Sequence, residues 1–215
     1  RRKFGQHFTS REIFIEYILP QIRDQLNDYI FVDLFCGAGN LILPILNQIP
    51  TGERVKFFQE NIFLFDVQQR CVDETIENAE SYGIPFEIAS KNIILQDTLQ
   101  NYPEFLLKKT KPIFHITNPP YLYLGYIVKT EETQKYLPLF QGDNEGYQDL
   151  YQIALINDLR HNIEKMIYII PSNFIFGSSV SNKIRNDFFE KYMIRYSYIF
   201  ETKIFEYTGQ NVMIN

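Results

Sequence analysis

Ile30-Phe31-Val32-Asp33-Leu34-Phe35-Cys36-Gly37-Ala38-Gly39 is a short apolar run that ends in a glycine turn. A run with no polar alternate is what a strand buried on both faces requires. Glycines tolerate positive φ and let a ligand approach the backbone closely. The same grammar recurs downstream. Ile62-Phe63-Leu64-Phe65 ends at Asp66, Ile93-Ile94-Leu95-Gln96 ends at Asp97, and Ile113-Phe114-His115-Ile116-Thr117 ends at Asn118-Pro119-Pro120-Tyr121. Between the runs, residues 40–47 read as a helix stopped by Pro50-Thr51-Gly52. Residues 67–82 read as a second, with Val67, Cys71, Ile76 and Ala79 on its apolar face and Gly83 and Pro85 closing it. Further on, 149–160 and 183–191 predict helices, and 166–170 and 196–200 predict strands. Apolar strands alternating with helices specify an α/β fold, a Rossmann-like, mostly parallel sheet with helices on both faces. Ligands in such sheets bind beyond the carboxyl ends of the strands. The Gly37/Gly39 turn, Asp66, Asp97 and the Asn118–Tyr121 segment all fall at those ends.

Composition narrows the class. The chain has 215 residues, 45% of them hydrophobic, with 21 Lys and Arg against 26 Asp and Glu. That is enough apolar content for one domain over 1–215 with a real core. A net charge of −5 argues against strong phosphate binding by these residues alone. No apolar run approaches the ~18 residues of a membrane span, and the Arg1-Arg2-Lys3 start lacks a signal-peptide core. Two cysteines, Cys36 and Cys71, exclude a disulfide scaffold and predict a reducing cytoplasm. With three histidines and no ligand spacing, no metal site is expected. The chain starts at Arg1 and stops at Asn215, within what reads as a strand, as a domain cut from a longer protein would.

The chemistry sits at the strand ends. Asp33 to Gly39 matches neither GxGxxG nor GxxxxGK[ST], so NAD and ATP are not the expected ligands; an ordinary strand-to-helix turn remains open. Asp66 suits the two hydroxyl protons of a ribose, or the N-cap of the following helix. Asp97 suits an adenine amine or the capping of a turn. In Asn118-Pro119-Pro120-Tyr121 two prolines fix φ and remove two amide donors. What remains on offer is carbonyl oxygen and one carboxamide, a set that receives a donor such as an exocyclic amine. Tyr121 adds a flat face for a planar base.

On these residues the chain resembles the S-adenosylmethionine-dependent N6-adenine DNA methyltransferases, in particular the gamma class of restriction–modification systems. The similarity covers essentially the whole chain. It implies a class I methyltransferase fold, with Thr9 of Gly5-Gln6-His7-Phe8-Thr9-Ser10 beside the methionine end of the cofactor. It assigns Asp33, Phe35, Gly37 and Gly39 to the methionine turn, Asp66 to the ribose, and Asp97 and Thr98 to the cofactor adenine. Asn118, Pro119, Pro120 and Tyr121 match the catalytic motif in full. Tyr121 and Phe205 would stack on the target base. Asp149-Leu150-Tyr151 looks like the helix start behind both pockets, and Ile169-Ile170-Pro171-Ser172-Asn173-Phe174 like the strand and turn that follow. One departure is the long Asp33–Asp66 interval, for which a surface insertion over 50–61, carrying Arg54 and Lys56, accounts.

The resemblance implies methyl transfer to an adenine N6 in DNA, the base flipped from the duplex, with target recognition supplied by residues or a subunit outside this segment. Methylation of a protein glutamine amide or of an RNA base, and a non-catalytic module of the same fold, are the alternatives. Residues 122–148 read as a long loop beside the active site, where Lys129 and Lys135 are either phosphate contacts or solvated. His115 reads as a core histidine, Cys36 as a buried turn residue and Cys71 as packed on its helix.

Overall fold

The computed structural model describes residues 11–177, 179–200 and 212–214. Thr9 and Phe205 lie outside these residues. The chain divides into two units, one built on 11–117 and 163–167, the other on 118–162 and the described residues from 168 onward.

Four parallel strands make the centre of the first unit, in the order β3-β2-β1-β4. They are β1 (Ile30–Asp33), β2 (Ile62–Asp66), β3 (Ile93–Leu95) and β4 (Ile113–Thr117). The register pairs Phe31 with both Ile62 and Phe114, and Leu64 with Ile93. Every residue of β1, β2 and β4 is buried, as a sheet covered on both faces demands. On one face Ile30, Val32, Leu34, Phe63 and Phe65 pack with Leu106, Ile113 and Ile163. Helices Arg54–Asn61, Gln69–Ser81 and Phe86–Asn92 pack against β1, β2 and β3. This is the Rossmann-like parallel sheet that the strand grammar predicts, and it fits the class I methyltransferase-like fold that the resemblance implies.

Three expectations in this unit need correction. Residues 50–61 are not a surface insertion: Arg54–Asn61 is a helix with Phe57, Phe58 and Asn61 buried. Its end is tied down by Asn92, whose Nδ2 donates to the carbonyls of Phe58, Gln59 and Ile62 at 3.2, 3.0 and 2.8 Å. Within 40–47 only Leu43–Gln48 is helical, and as a 3-10 helix; Pro44 removes an amide donor there. Val67 is exposed, and the buried face of Gln69–Ser81 is Cys71, Val72, Thr75, Ile76 and Ala79. The helix starts two residues later than predicted, which rotates Val67 off its face.

The second unit centres on helix Leu150–Arg160, nearly all of it buried, and on antiparallel strands in the order β5-β7-β6. They are β5 (Lys165–Pro171, whose first three residues belong to the first unit), β7 (Val212–Ile214) and β6 (Tyr198–Ile199). Ile169 pairs with Ile214, and Ile214 with Tyr198. Residues 122–148 are not an open loop. Leu124–Lys129 is α-helical, and Glu131–Phe140 and Gly142–Asn144 are 3-10 turns. Ile127, Thr133, Phe140 and Tyr147 anchor them in the interior. Arg185 clamps the turn at Asn173–Phe176, donating to the carbonyls of Phe174, Ile175 and Gly177 at 2.8, 2.9 and 2.9 Å. Among the described residues no helix is long and apolar enough to cross a membrane.

Candidate cofactor turn and catalytic corner

The first unit holds the described residues that the sequence assigns to a cofactor. At the end of β1, Asp33 is 1% exposed. Its Oδ1 accepts the Thr117 hydroxyl at 2.6 Å and the Phe35 N–H at 3.0 Å. Burial pushes this carboxyl up to about 6, against the pull of those two donors and of nearby His115. His115, in the core as expected, accepts the Leu34 N–H on Nε2 at 3.3 Å. The turn then reverses with positive φ at Gly37 (54°) and Gly39 (79°). A Cβ at Gly39 would meet Leu43 Cδ1 at 2.7 Å, so glycine is required there for space as well as for backbone angle.

Asp66 does more than end a strand. Its Oδ2 accepts the Gly37 N–H at 3.0 Å and its Oδ1 the Gln68 N–H at 2.9 Å. Burial raises its carboxyl, and those backbone donors pull the other way. The helix Gln69–Ser81 completes the clamp: Thr75 Oγ1 donates to the Gly37 carbonyl at 2.6 Å and Asn78 Nδ2 to the Ala38 carbonyl at 2.9 Å. Both were missed in the sequence. Their signal was polar residues three apart on the face of a helix that packs under a glycine turn.

Asp97 caps its own turn, accepting the N–H groups of Leu99 and Gln100 at 3.2 and 3.3 Å and the Gln100 side-chain amide at 2.7 Å. Thr98 is buried and donates to the Leu34 carbonyl at 2.9 Å, which ties the turn after β3 to the end of β1. Phe35 is half-buried against the apolar cluster of β1 and β2. Cys36 and Cys71 are buried thiols, both held protonated by burial.

These residues fit a polar cofactor. The Asp66 carboxylate is an acceptor held at the strand end by the N–H groups of Gly37, Val67 and Gln68. Two residues on, the Gln68 side-chain amide nitrogen is buried with no hydrogen-bond partner among the described residues. A buried donor in that position has room for an acceptor from a ligand or a water.

The second unit holds Asn118, Pro119, Pro120 and Tyr121. The Tyr121 hydroxyl donates to the Ile169 carbonyl of β5 at 2.5 Å and is also hydrogen-bonded to the Asn118 carboxamide. Its ring meets the edge of Tyr151 at 6.4 Å and 86°. Burial pushes the phenol well above its ordinary range. The corner's exit is stapled to the start of helix Leu150–Arg160. Asp149 Oδ1 accepts the Leu122 N–H at 3.0 Å, Leu124 N–H donates to the Gln148 carbonyl at 2.8 Å, and Leu150 N–H to the Leu122 carbonyl at 3.3 Å. Asp149 also N-caps the helix through the Tyr151 N–H at 3.3 Å, and burial pushes its carboxyl up to about 7. Behind it the Tyr151 hydroxyl meets Ser181 Oγ at 3.0 Å and Asn173 Oδ1 at 3.2 Å. Ile169 and Ser181 carried no sequence signal, because a main-chain carbonyl has no residue type and serine is common.

Known proteins resemble this chain in sequence family and in fold. A family model described as N-6 DNA Methylase matches residues 1–215. Among solved structures, the cryo-EM DrdV–DNA complex matches 99% of this chain and 26% of its own at 14% identity, with a TM-score of 0.71. A nuclease-deletion mutant of the Type ISP restriction–modification enzyme LlaGI with a DNA substrate mimic matches 97% and 23% at 16% identity and a TM-score of 0.67. The type I restriction–modification methyltransferase subunit of Streptococcus thermophilus matches 98% and 44% at 17% identity and a TM-score of 0.60. A curated relative, ribosomal RNA small subunit methyltransferase A of Nitrosococcus oceani, is 30% identical over 120 residues, 54% of this chain and 43% of its own. The chain therefore spans less than half the length of each.

Proposed function

Because the chain belongs to the N-6 DNA methylase family, we propose that the full-length protein is a site-specific methyltransferase acting on the N6 amine of adenine in DNA, within a restriction–modification system. S-adenosylmethionine is the methyl donor in this proposal, and it supplies a methyl group on a sulfonium, already a good leaving group. The turn from Asp33 to Gly39, with Thr9, receives its methionine end. Asp66 accepts from the ribose hydroxyls, and the segment Asp97-Thr98 flanks the adenine, with the orphaned Gln68 amide available to a cofactor acceptor.

An adenine amine is a weak nucleophile because its lone pair is delocalised into the ring. The Asn118 side-chain oxygen and the Pro119 carbonyl accept its two N–H bonds and draw the nitrogen toward tetrahedral geometry. Bound S-adenosylmethionine would supply the methyl group to that nitrogen, its sulfur leaving as the neutral thioether, and the extra N6 proton would pass to water. Positioning and fixed dipoles supply most of the rate. Tyr121, with Phe205 on the other face, stacks on the flipped base and offsets roughly 1–3 kcal/mol of the unstacking cost. Recognition of the DNA sequence resides outside these residues.

One observation supports the proposal above the others: the intact Asn118-Pro119-Pro120-Tyr121 corner begins one peptide bond after Thr117, whose hydroxyl is bonded to Asp33 of the cofactor turn. The ribosomal RNA relative favours a second reading, methylation of an RNA base. Labelled S-adenosylmethionine offered with DNA, RNA or protein separates the two, and protein-glutamine methylation with them. Label in N6-methyladenine of DNA, lost in Asn118→Ala while cofactor binding persists, is the expected result. Label in RNA alone would replace the proposal, and a protein that binds no S-adenosylmethionine would leave a non-catalytic module.

A further inference from the structure

We infer that Thr75, on the helix Gln69–Ser81, is a positioning residue for the cofactor: it holds the Gly37 carbonyl so that the Ala38 N–H is presented to the carboxylate of the methionine end. The inference rests on the S-adenosylmethionine binding proposed above. It gives a role to a helix residue beneath the turn that acts through the main chain and not by contact with the cofactor.

The geometry is that of one peptide plane. A trans peptide is flat, so a carbonyl and the N–H that follows it point in opposite directions. No cis peptide occurs among the described residues. Thr75 Oγ1 donates to the Gly37 carbonyl at 2.6 Å, which aims that carbonyl at the helix. The N–H across the same plane belongs to Ala38, and it is aimed to the side opposite the helix. The N–H groups before and after it are used within the protein: Gly37 donates to Asp66 Oδ2 at 3.0 Å, and Gly39 to the Cys36 carbonyl at 2.8 Å. Among the described residues none accepts from the Ala38 N–H. A main-chain N–H seeks an acceptor, and the anionic oxygens of a carboxylate make the stronger, charge-assisted bond.

Thr75 is fixed firmly enough to steer. It is fully buried. Its methyl packs under the turn, where a Cβ at Gly39 would lie 3.0 Å from Cγ2. A β-branched side chain in a helix has few χ1 choices, so the methyl contact and the hydroxyl bond select one rotamer together. Asp66 grips the same residue from its other end by taking the Gly37 N–H, so side chains orient the peptides on both sides of Gly37. Asn78 is the contrast. Its Nδ2 donates to the Ala38 carbonyl at 2.9 Å, but the N–H across that plane is the one of Gly39, already bonded to Cys36. Asn78 therefore steadies the turn, whereas Thr75 aims the donor that a ligand meets.

The test is calorimetric binding of two ligands to the full-length protein: S-adenosylmethionine, and its decarboxylated analogue, which keeps the sulfonium and the amine but lacks the carboxylate. Thr75→Val removes the hydroxyl at nearly constant volume. It is expected to weaken S-adenosylmethionine about 10-fold, the order of one hydrogen bond to a charged group, and the analogue by less than about 2-fold. Thr75→Ser should restore the wild-type ratio of the two affinities, and Asn78→Ala should keep that ratio within about 2-fold because it loosens the turn for both ligands alike. Equal losses for the two ligands in Thr75→Val, no loss for either, or a ratio changed as much by Asn78→Ala overturns the inference. A second readout needs only the wild type. The Ala38 amide resonance should move downfield when S-adenosylmethionine binds and not when the analogue binds; the same position in both complexes overturns the inference. A wild-type protein that binds neither ligand sinks the proposed cofactor and the inference with it, whereas one that binds S-adenosylmethionine with an affinity ratio indifferent to Thr75 sinks the inference alone.

Discussion

The Thr117 hydroxyl donates to Asp33 Oδ1 at 2.6 Å, and the Phe35 N–H reaches the same oxygen at 3.0 Å. Thr117 ends β4 and Asp33 ends β1, two strands that pair in parallel. One buried carboxylate therefore fixes both the start of the glycine turn and the residue from which the chain enters Asn118. Parallel pairing makes this possible, since only then do both strands deliver their carboxyl ends to the same edge.

Thr117→Val keeps the volume and removes the donor. It leaves a carboxylate at 1% exposure with one partner fewer, at a cost of about 1–3 kcal/mol. Urea unfolding near pH 7 is expected to show that loss and Thr117→Ser to recover most of it. Equal stability of Thr117→Val and wild type would remove the carboxylate's structural role.

Two carboxyls should give the protein an unusual pH profile. Burial raises Asp33 to about 6 and Asp149 to about 7 from an ordinary 3.8. The native state thus binds their protons more tightly than the unfolded chain does. Their favourable contribution is complete below the unfolded value, and it is lost as pH rises, through about 6 for Asp33 and about 7 for Asp149. Stability measured by urea across that range should fall more steeply for wild type than for the Asp33→Asn, Asp149→Asn double variant. Parallel profiles would contradict the burial-driven shifts.

Gly39 and Gly83 separate space from backbone angle. Both have positive φ, 79° and 86°, but a Cβ at Gly39 meets Leu43 Cδ1 at 2.7 Å and Thr75 Cγ2 at 3.0 Å, whereas one at Gly83 meets nothing within 4 Å. Gly83→Ala is expected to cost about 1–2 kcal/mol for the left-handed backbone alone, and Gly39→Ala a further 1–3 kcal/mol or so for overpacking. Calorimetric unfolding of the pair tests this, and equal losses would mean that the turn yields where the packing says it does not.

Apolar runs ending in glycine or acid made the parallel sheet legible, because strands buried on both faces leave no polar alternate to blur them. Helix Arg54–Asn61 was not legible. Its buried residues, Phe57, Phe58 and Asn61, give too short a stripe, and its end is held by Asn92, 31 residues further on. The ordered turns of 122–148 were hidden for a related reason: they are held by single buried residues such as Thr133 and Tyr147, and by Tyr147 reaching Asp187 at 2.6 Å. Of the candidate site, Asp66 and the Asn118–Tyr121 corner were singled out by residue type and place, and Asp66 does contact the glycine turn. Partners that act through main-chain atoms or common side chains, as the Ile169 carbonyl and Ser181 do, have no pattern to read. Asp97 looked the same as Asp66 in sequence; its carboxylate accepts from its own turn, whereas that of Asp66 also accepts the Gly37 N–H from the glycine turn.

Asp149 is where the second unit concentrates its dependence on one side chain. Its Oδ1 serves two N–H groups at once, that of Leu122 leaving the Asn118–Tyr121 corner and that of Tyr151 opening the helix. Removing it strips the helix of its cap and leaves the Leu122 N–H without its acceptor in the interior. Asp149→Ala is expected to cost about 2–3 kcal/mol on those two grounds. Asn keeps the acceptor oxygen, cannot carry the buried charge, and should cost less than about 1 kcal/mol. The two variants should therefore separate in thermal unfolding at pH 7. They should separate again in amide exchange at Leu122, protected in wild type and in Asp149→Asn and fast in Asp149→Ala. If exchange at Leu122 is as slow in Asp149→Ala as in wild type, the corner is held by its neighbouring main-chain bonds at Leu124 and Leu150, and Asp149 serves the helix alone.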